Sequence, residues 1–266
     1  MRLFLLFFLF SNFLFSENLR IVSLAPAITE DIFLLGKGDN IVGNTIYCNR
    51  PKEAKYKEKV GTVIDVNVEK IYSLKPDIVF ATNLTNPKDV KKLKELGTRV
   101  EIFTYPKNFN QLCEQFLKIS EIIGEKKKGE EIIKNVKEEI EKIKEKIKNG
   151  RKVKVLVQIG TKPLWVAGED TFIGDLVKLA GGENVIKGEG GKYSIEEIIK
   201  KNPEVIIITS MGIDTEEEKR VWQKYKMIDA VKNRKIFVID SNRICSPTPL
   251  TFLEVANELY KIFHLK

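Results

Sequence analysis

Val68-Glu69-Lys70-Ile71-Tyr72-Ser73-Leu74-Lys75-Pro76-Asp77-Ile78-Val79 returns, without a gap and 127 residues later, as Ile195-Glu196-Glu197-Ile198-Ile199-Lys200-Lys201-Asn202-Pro203-Glu204-Val205-Ile206. In each copy an acidic residue opens a short helix, a proline ends it, and a strand-like β-branched run follows. Proline cannot donate to the helical ladder and disfavours helix in the residue before it, so it places the same boundary twice. The repeat predicts two related lobes, and the alternation of short β-branched runs with helical periods around it makes both of them α/β with mainly parallel sheets.

Outward from the first copy, Arg20–Leu24, Ile41–Asn44, Asp77–Ala81 and Arg99–Phe103 read as strands, and Pro26–Leu35, Val68–Leu74 and Pro87–Leu96 as helices. Around the second copy, Lys152–Ile159, Leu164–Ala167, Val205–Thr209 and Lys235–Ile239 read as strands, with helices over Phe172–Leu179, Ile195–Lys201, Glu216–Tyr225 and Pro249–Phe263. The glycines at 181, 182 and 188 to 191 read as turns. Between the lobes, apolar residues recur three and four apart from Leu112 to Ile147, the mark of helices with one buried stripe. Gly124 separates two such helices, and the second, Glu125–Asn149, would be about 37 Å long, enough to bridge two lobes. The expected organisation is a leader over 1–16, a first lobe over 17–107, a bridging helical segment over 108–150 and a second lobe over 151–266.

The leader, MRLFLLFFLFSNFLFS, sets Arg2 ahead of an apolar run that Ser11 and Asn12 interrupt, which fits a secretory signal peptide better than a membrane anchor. Export to the periplasm follows as an expectation, with no cysteine near the junction to carry a lipid. The formal net charge is +8, but the cations alternate with Glu along helical faces, which points to solvated i,i+4 pairs and not to a nucleic-acid surface. Abundant Lys, Glu and Ile suit a thermophilic source. Cys48, Cys113 and Cys245 show no metal-site spacing; Cys48 and Cys245 could pair, or all three could be free thiols.

The groups that catalysis requires are scarce. His264, the only histidine, sits at the C-terminal end and is expected in solvent, so His-based triads and multi-His metal sites are excluded. No phosphate loop or dinucleotide fingerprint occurs. No resident cofactor or metal is expected, and a binder is favoured over an envelope enzyme, a chelatase or a sensor-adaptor.

Four segments, IVSLAPAITE, VNVEKIYSLKPDIV, PLWVAGEDTFIGDLVKLAGGENVI and SIEEIIKKNPEVIIIT, together resemble the periplasmic substrate-binding proteins for cobalamin and ferric siderophores, with the third closest to the cobalamin binders. The resemblance spans essentially everything after the leader. It implies two lobes joined by one rigid helix, and a monomer that takes a small ligand in the inter-lobe cleft and delivers it to the permease dimer of an ABC importer. Carried over position by position, it implies ligand contacts at Pro26, Ala27, Ile28, Tyr47, Thr82 and Asn83 in the first lobe. In the second lobe it implies Trp165, Tyr193, Ser210, Met211 and Arg243. Glu69 and Glu196 match the acidic pair with which such proteins dock on their transporters. Where cobalamin binders place indoles, this chain has Val63, Thr82 and glycine near Gly190, so a corrinoid, a ferric chelate and haem are all compatible with the resemblance.

Overall fold

The computed structural model describes residues 19–264 apart from Met211 and Ile213, so the expected leader and the Met211 contact lie outside the described residues. The first sheet is wholly parallel, ordered β2-β1-β3-β4, from β1 (Ile21–Ser23), β2 (Ile41–Asn44), β3 (Ile78–Thr82) and β4 (Val100–Phe103). Its helices are α1 (Pro26–Leu34), α2 (Val68–Ser73) and α3 (Pro87–Glu95). Then α4 (Phe109–Ile122) and α5 (Lys126–Ile147) lead into the second sheet. That sheet is built from β5 (Val153–Gly160), β6 (Trp165–Ala167), β7 (Gly182–Asn184), β8 (Gly190–Lys192), β9 (Val205–Thr209) and β10 (Ile236–Ile239). Its order is β10-β9-β5-β6-β8, with β7 also on β5; β6 and β8 are antiparallel, so this sheet is mixed. Helices α6 (Phe172–Leu179), α7 (Ile195–Lys201), α8 (Thr215–Gln223), α9 (Asp229–Lys232), α10 (Ser241–Ile244) and α11 (Pro249–His264) complete the chain.

The repeat is a repeat in three dimensions. Asn67 and Ser194 cap α2 and α7 by accepting from the backbone N–H of Lys70 and Glu197. Lys75 and Asn202 then end the two helices in the left-handed region, at φ 47° and 44°. After each proline, an acid accepts from the backbone N–H at the start of the neighbouring strand, Asp77 from Arg20 at 2.7 Å and Glu204 from Lys154 at 3.0 Å. Both helices run back along the strand that follows them, so their N-termini lie toward the carboxyl edges of β3 and β9.

Strand alternation sorts the core into three parts. Ile78 and Phe80 of β3, like Val205 and Ile207 of β9, face one large cluster that contains α4, α5 and α11. Val79 and Ala81 face a separate cluster under α2 and α3, and Ile206 and Ile208 face a third under α7, α8 and α9. The central cluster is continuous between the sheets. Its helices run in opposite directions: the N–H of Phe109, opening α4, donates to Asp175 of α6 at 2.8 Å, whereas Glu125, before α5, pairs with Lys37 of the first lobe at 3.1 Å. Two antiparallel helices therefore link the lobes, and α5, with 22 residues, is about 33 Å long. Bending such a pair would break buried contacts along both helices, so only small closure on ligand binding is expected, which scattering profiles of the free and bound protein would check.

Two local expectations are corrected, and the alternative left open for the cysteines is decided. The glycines at 182 and 190–191 belong to strands β7 and β8 and not to turns, because close backbone approach requires them: a Cβ on Gly190 would lie 2.3 Å from the carbonyl oxygen of Val166. His264 is half-buried, with Nε2 3.1 Å from the carbonyl of Ala180 and its ring against Tyr260, so it closes the C-terminal helix onto α6 instead of meeting solvent. Cys48, Cys113 and Cys245 are all free thiols.

Asp31, on α1, is fully buried, and among the described residues neither carboxyl oxygen has a hydrogen-bond partner. Burial, with Glu30 beside it, holds its pKa well above the usual carboxylate range. A carboxyl whose pKa is higher folded than unfolded favours folding most below its unfolded pKa, and that contribution is lost as pH rises through the folded value. Asp31→Leu is therefore expected to raise stability at pH 7 by about 1–3 kcal/mol, the usual cost of an unpartnered buried polar group. Denaturant melts should show the gain narrowing toward about pH 4.

Candidate ligand-binding cavity

The carboxyl edges of the first sheet's strands open onto a cavity of about 690 Å³, closed on its other side by the Ser241–Pro247 segment that follows β10. In open α/β sheets this is the edge where ligands bind, because strand ends release backbone and side chains that the sheet no longer uses. After β1 the chain enters α1 through Ala25, Pro26, Ala27 and Ile28, all of which line the cavity. Ala25 caps α1 without a side-chain hydrogen bond, and the first intrahelical donor is the N–H of Thr29. The N–H groups of Ala27 and Ile28 are thus left over at the cavity wall as donors for a ligand carbonyl.

Tyr47, beyond β2, and Thr82, at the end of β3, also line the cavity. The other implied contacts lie elsewhere. Asn83 is exposed outside the lining, its backbone N–H held by Phe103. Tyr193 packs on the outer core of the second lobe with Lys201 over its ring. Ser210 accepts from the backbone N–H of Ser241 at 3.0 Å, which ties the end of β9 to α10. Arg243 sits in α10; its Nη1 donates to Glu258 of α11 at 2.8 Å and its Nη2 lies 3.7 Å from Glu254. Its charge is therefore spent within the lobe. Trp165 is 47% exposed at the carboxyl end of β5, on the cavity-side edge of the second sheet but outside the lining.

Several lining residues escaped the sequence reading: Ile64, Leu84, Tyr105, Pro106 and Gln115. Tyr105 and Pro106 follow β4, so the rule that found Thr82 after β3 would have found them too. Ile64 and Leu84 are more than half exposed, an unusual state for large aliphatic side chains grouped at one opening. Gln115 projects from α4 and carries no sequence signal.

The lining is almost free of charge. Among the described residues Asp65 is its only acid or base, and the rest are apolar, hydroxyl or amide groups together with Cys245. Burial, reinforced by Asp240, pushes the Cys245 thiol up to about 11; burial followed by the nearby Cys245 raises the Tyr105 phenol. Both are neutral at physiological pH. No group of three or more His, Cys, Asp or Glu that could hold a metal ion occurs among the described residues. Just outside, Glu30 accepts from Arg50 at 2.6 Å, yet burial outweighs the arginine and raises its carboxyl.

Residues 21–243 match the family described as periplasmic binding protein, a span that takes in both sheets and the helices between them. The chain belongs to that family. Family members are the substrate-binding components of ABC importers and work outside the cytoplasm, so this chain takes a small molecule destined for a membrane permease, and the cavity is the candidate place for it. A Bacillus subtilis (strain 168) protein, the uncharacterized ABC transporter substrate-binding lipoprotein YvrC, is 32% identical over 88% of this chain and 76% of its own. The vitamin B12-binding protein of Vibrio parahaemolyticus is 28% identical over 87% of this chain and 85% of its own. Among solved structures, a possible iron-binding (periplasmic solute-binding) protein from Staphylococcus epidermidis aligns with TM-score 0.81 at 28% identity, covering 93% of this chain and 99% of its own. No described helix of this periplasmic binding protein is long and apolar enough to cross a membrane.

Proposed function

We propose that this chain captures a neutral, amide-fringed cobalt corrinoid in the cavity between its sheets and hands it to the permease dimer of an ABC importer. The carrying observation is a lining that holds, among the described residues, one acid, Asp65, and no cation. A corrinoid offers apolar ring faces to Ile64, Leu84, Tyr47 and Tyr105, and a fringe of amides to Thr82, Gln115, Asn242 and the free N–H groups of α1. Haem and carboxylate-bearing ferric chelates bring negative charges that would be desolvated beside Asp65 with no cation in the lining, which is unfavourable. Cobalt enters as cargo; the protein holds no cofactor of its own, catalyses nothing, and works as a monomer exported by its leader to the periplasm.

Delivery rests on Glu69 and Glu196, which stand exposed in the first turns of α2 and α7. Since those helix starts lie toward the carboxyl edges of their sheets, the two carboxylates flank the side on which the ligand sits, where cations on the two halves of a permease dimer can register both lobes. Glu69 pairs with Lys92 in the free protein, an exposed contact that docking can exchange at little cost.

Titration of the mature protein with cyanocobalamin, cobinamide, hemin and a ferric siderophore tests the ligand. Trp165 is the expected reporter, since Trp222 is buried and hydrogen-bonded to Gln158 at 2.7 Å. A corrinoid is expected to bind at least about tenfold more tightly than hemin, the 1.4 kcal/mol that one uncompensated charge readily exceeds. Tighter binding of hemin would refute the corrinoid assignment and leave the capture role standing.

A further inference from the structure

We propose that the second lobe carries a separate site for an oligophosphate-type polyanion, in the groove between the end of α8, α9 and the start of β10. Lys219, Lys226, Lys232 and Arg234 surround a concavity of about 590 Å³ whose other walls are Gln223, Val231 and Ile236; among the described residues no acid lines it. The local sequence accounts for this concentration of charge: from Lys219 to Lys235 the chain has seven cations and one acid, Asp229.

Two of the four cations are explained by helix pairs, Lys219 with Glu216 at 2.9 Å and Lys232 with Asp229 at 3.1 Å. Lys226 and Arg234 have no ion pair among the described residues, and both are exposed. Two unpaired cations repel each other unless an anion joins them, and the aliphatic floor of Val231 and Ile236 lowers local screening, so a multiply charged anion gains more there than on an open face. The concave shape suits a discrete chain of phosphates entering the groove; a bilayer would demand cations on a flat or convex face.

The groove does not belong to the capture cavity. It adjoins the first residue of β10, which among the described residues is an edge strand paired with β9 alone, whereas the cavity lies at the opposite, carboxyl end of the same strand. A polyanion bound there leaves the ligand opening and the starts of α2 and α7 free. Such a site would hold the protein near phosphate-rich polymers while it captures its ligand.

Isothermal titration of the mature protein with inorganic tripolyphosphate, in low and high salt, tests the assignment. Saturable one-to-one binding that weakens with salt is expected. Lys226→Glu with Arg234→Glu is expected to reduce affinity at least about tenfold, since each reversed contact turns attraction into repulsion. Cyanocobalamin titration and thermal melting of the same variant should match wild type, which separates this proposal from the corrinoid assignment. Equal affinity in the variant would overturn the site by reducing the lysines to solvated helix ends. Equal affinity for orthophosphate would overturn the oligomer preference. Binding to phosphatidylglycerol vesicles without binding to tripolyphosphate would replace the proposal with a membrane-facing surface.

Discussion

Glu69→Arg with Glu196→Arg is expected to lower ligand uptake through the reconstituted importer by at least about a hundredfold, because two docking contacts become repulsive at once and each is worth on the order of 1–3 kcal/mol. The purified variant should bind its ligand within about twofold of wild type, since neither side chain lines the cavity. Both carboxylates are exposed, so folding should be unaffected. A single reversal should give an intermediate loss. The two lobes are not equivalent in this respect: Glu69 already has Lys92 as a partner, whereas Glu196 shares the first turn of α7 with Glu197, which closes a capping box with Ser194. Reversing Glu196 is therefore expected to be the more damaging single change. Uptake that survives the double reversal would remove docking from these residues.

Phe252→Ala is expected to destabilise the protein by about 3–5 kcal/mol, the range for deleting a buried phenyl group. Phe252, on α11, is fully buried, stacked on Phe109 of α4 at 4.8 Å and edge-on to Phe172 of α6 at 5.3 Å. It locks three helices at one point, and calorimetry should show a fall in melting temperature on the order of 10 °C. The functional consequence follows from the chain path. Phe109 opens α4 three positions after Pro106, the end of the Thr104–Pro106 segment that lines the cavity, so loosening that anchor should also weaken ligand binding. Phe252→Leu, which keeps most of the buried volume, should recover most of both losses.

Pro76 and Pro203, the glycines after α1 and α3, and the apolar periods around them place α1 to α3, α5 to α8, α11 and the strands other than β7 and β8 to within about two residues. These are local devices: a proline ends a helix wherever it stands, and a glycine that ends one tolerates φ values such as the +84° of Gly36 and the +81° of Gly97. β7 and β8 were missed for the complementary reason. Three-residue strands rich in glycine have no hydrophobic alternation to detect, and they exist only because β5 and β6 present them with a partner.

The candidate site divides in the same way. Pro26, Ala27, Ile28, Tyr47 and Thr82 were legible because a strand end followed by a helix start is a pattern along the chain. The ion pairs of Arg243 were not legible, because its partners, Glu254 and Glu258, are brought to it by the turn of the chain into α11. The amino-acid sequence by itself determined the duplicated α/β architecture and the pair of acids it carries, since periodicity, proline and caps act over a few residues. Only the tertiary structure decided that the cavity lining holds no cation and a single acid, that Asp31 is buried without a partner among the described residues and that Arg243 is held within its own lobe, because charge balance and desolvation depend on neighbours that distant segments supply.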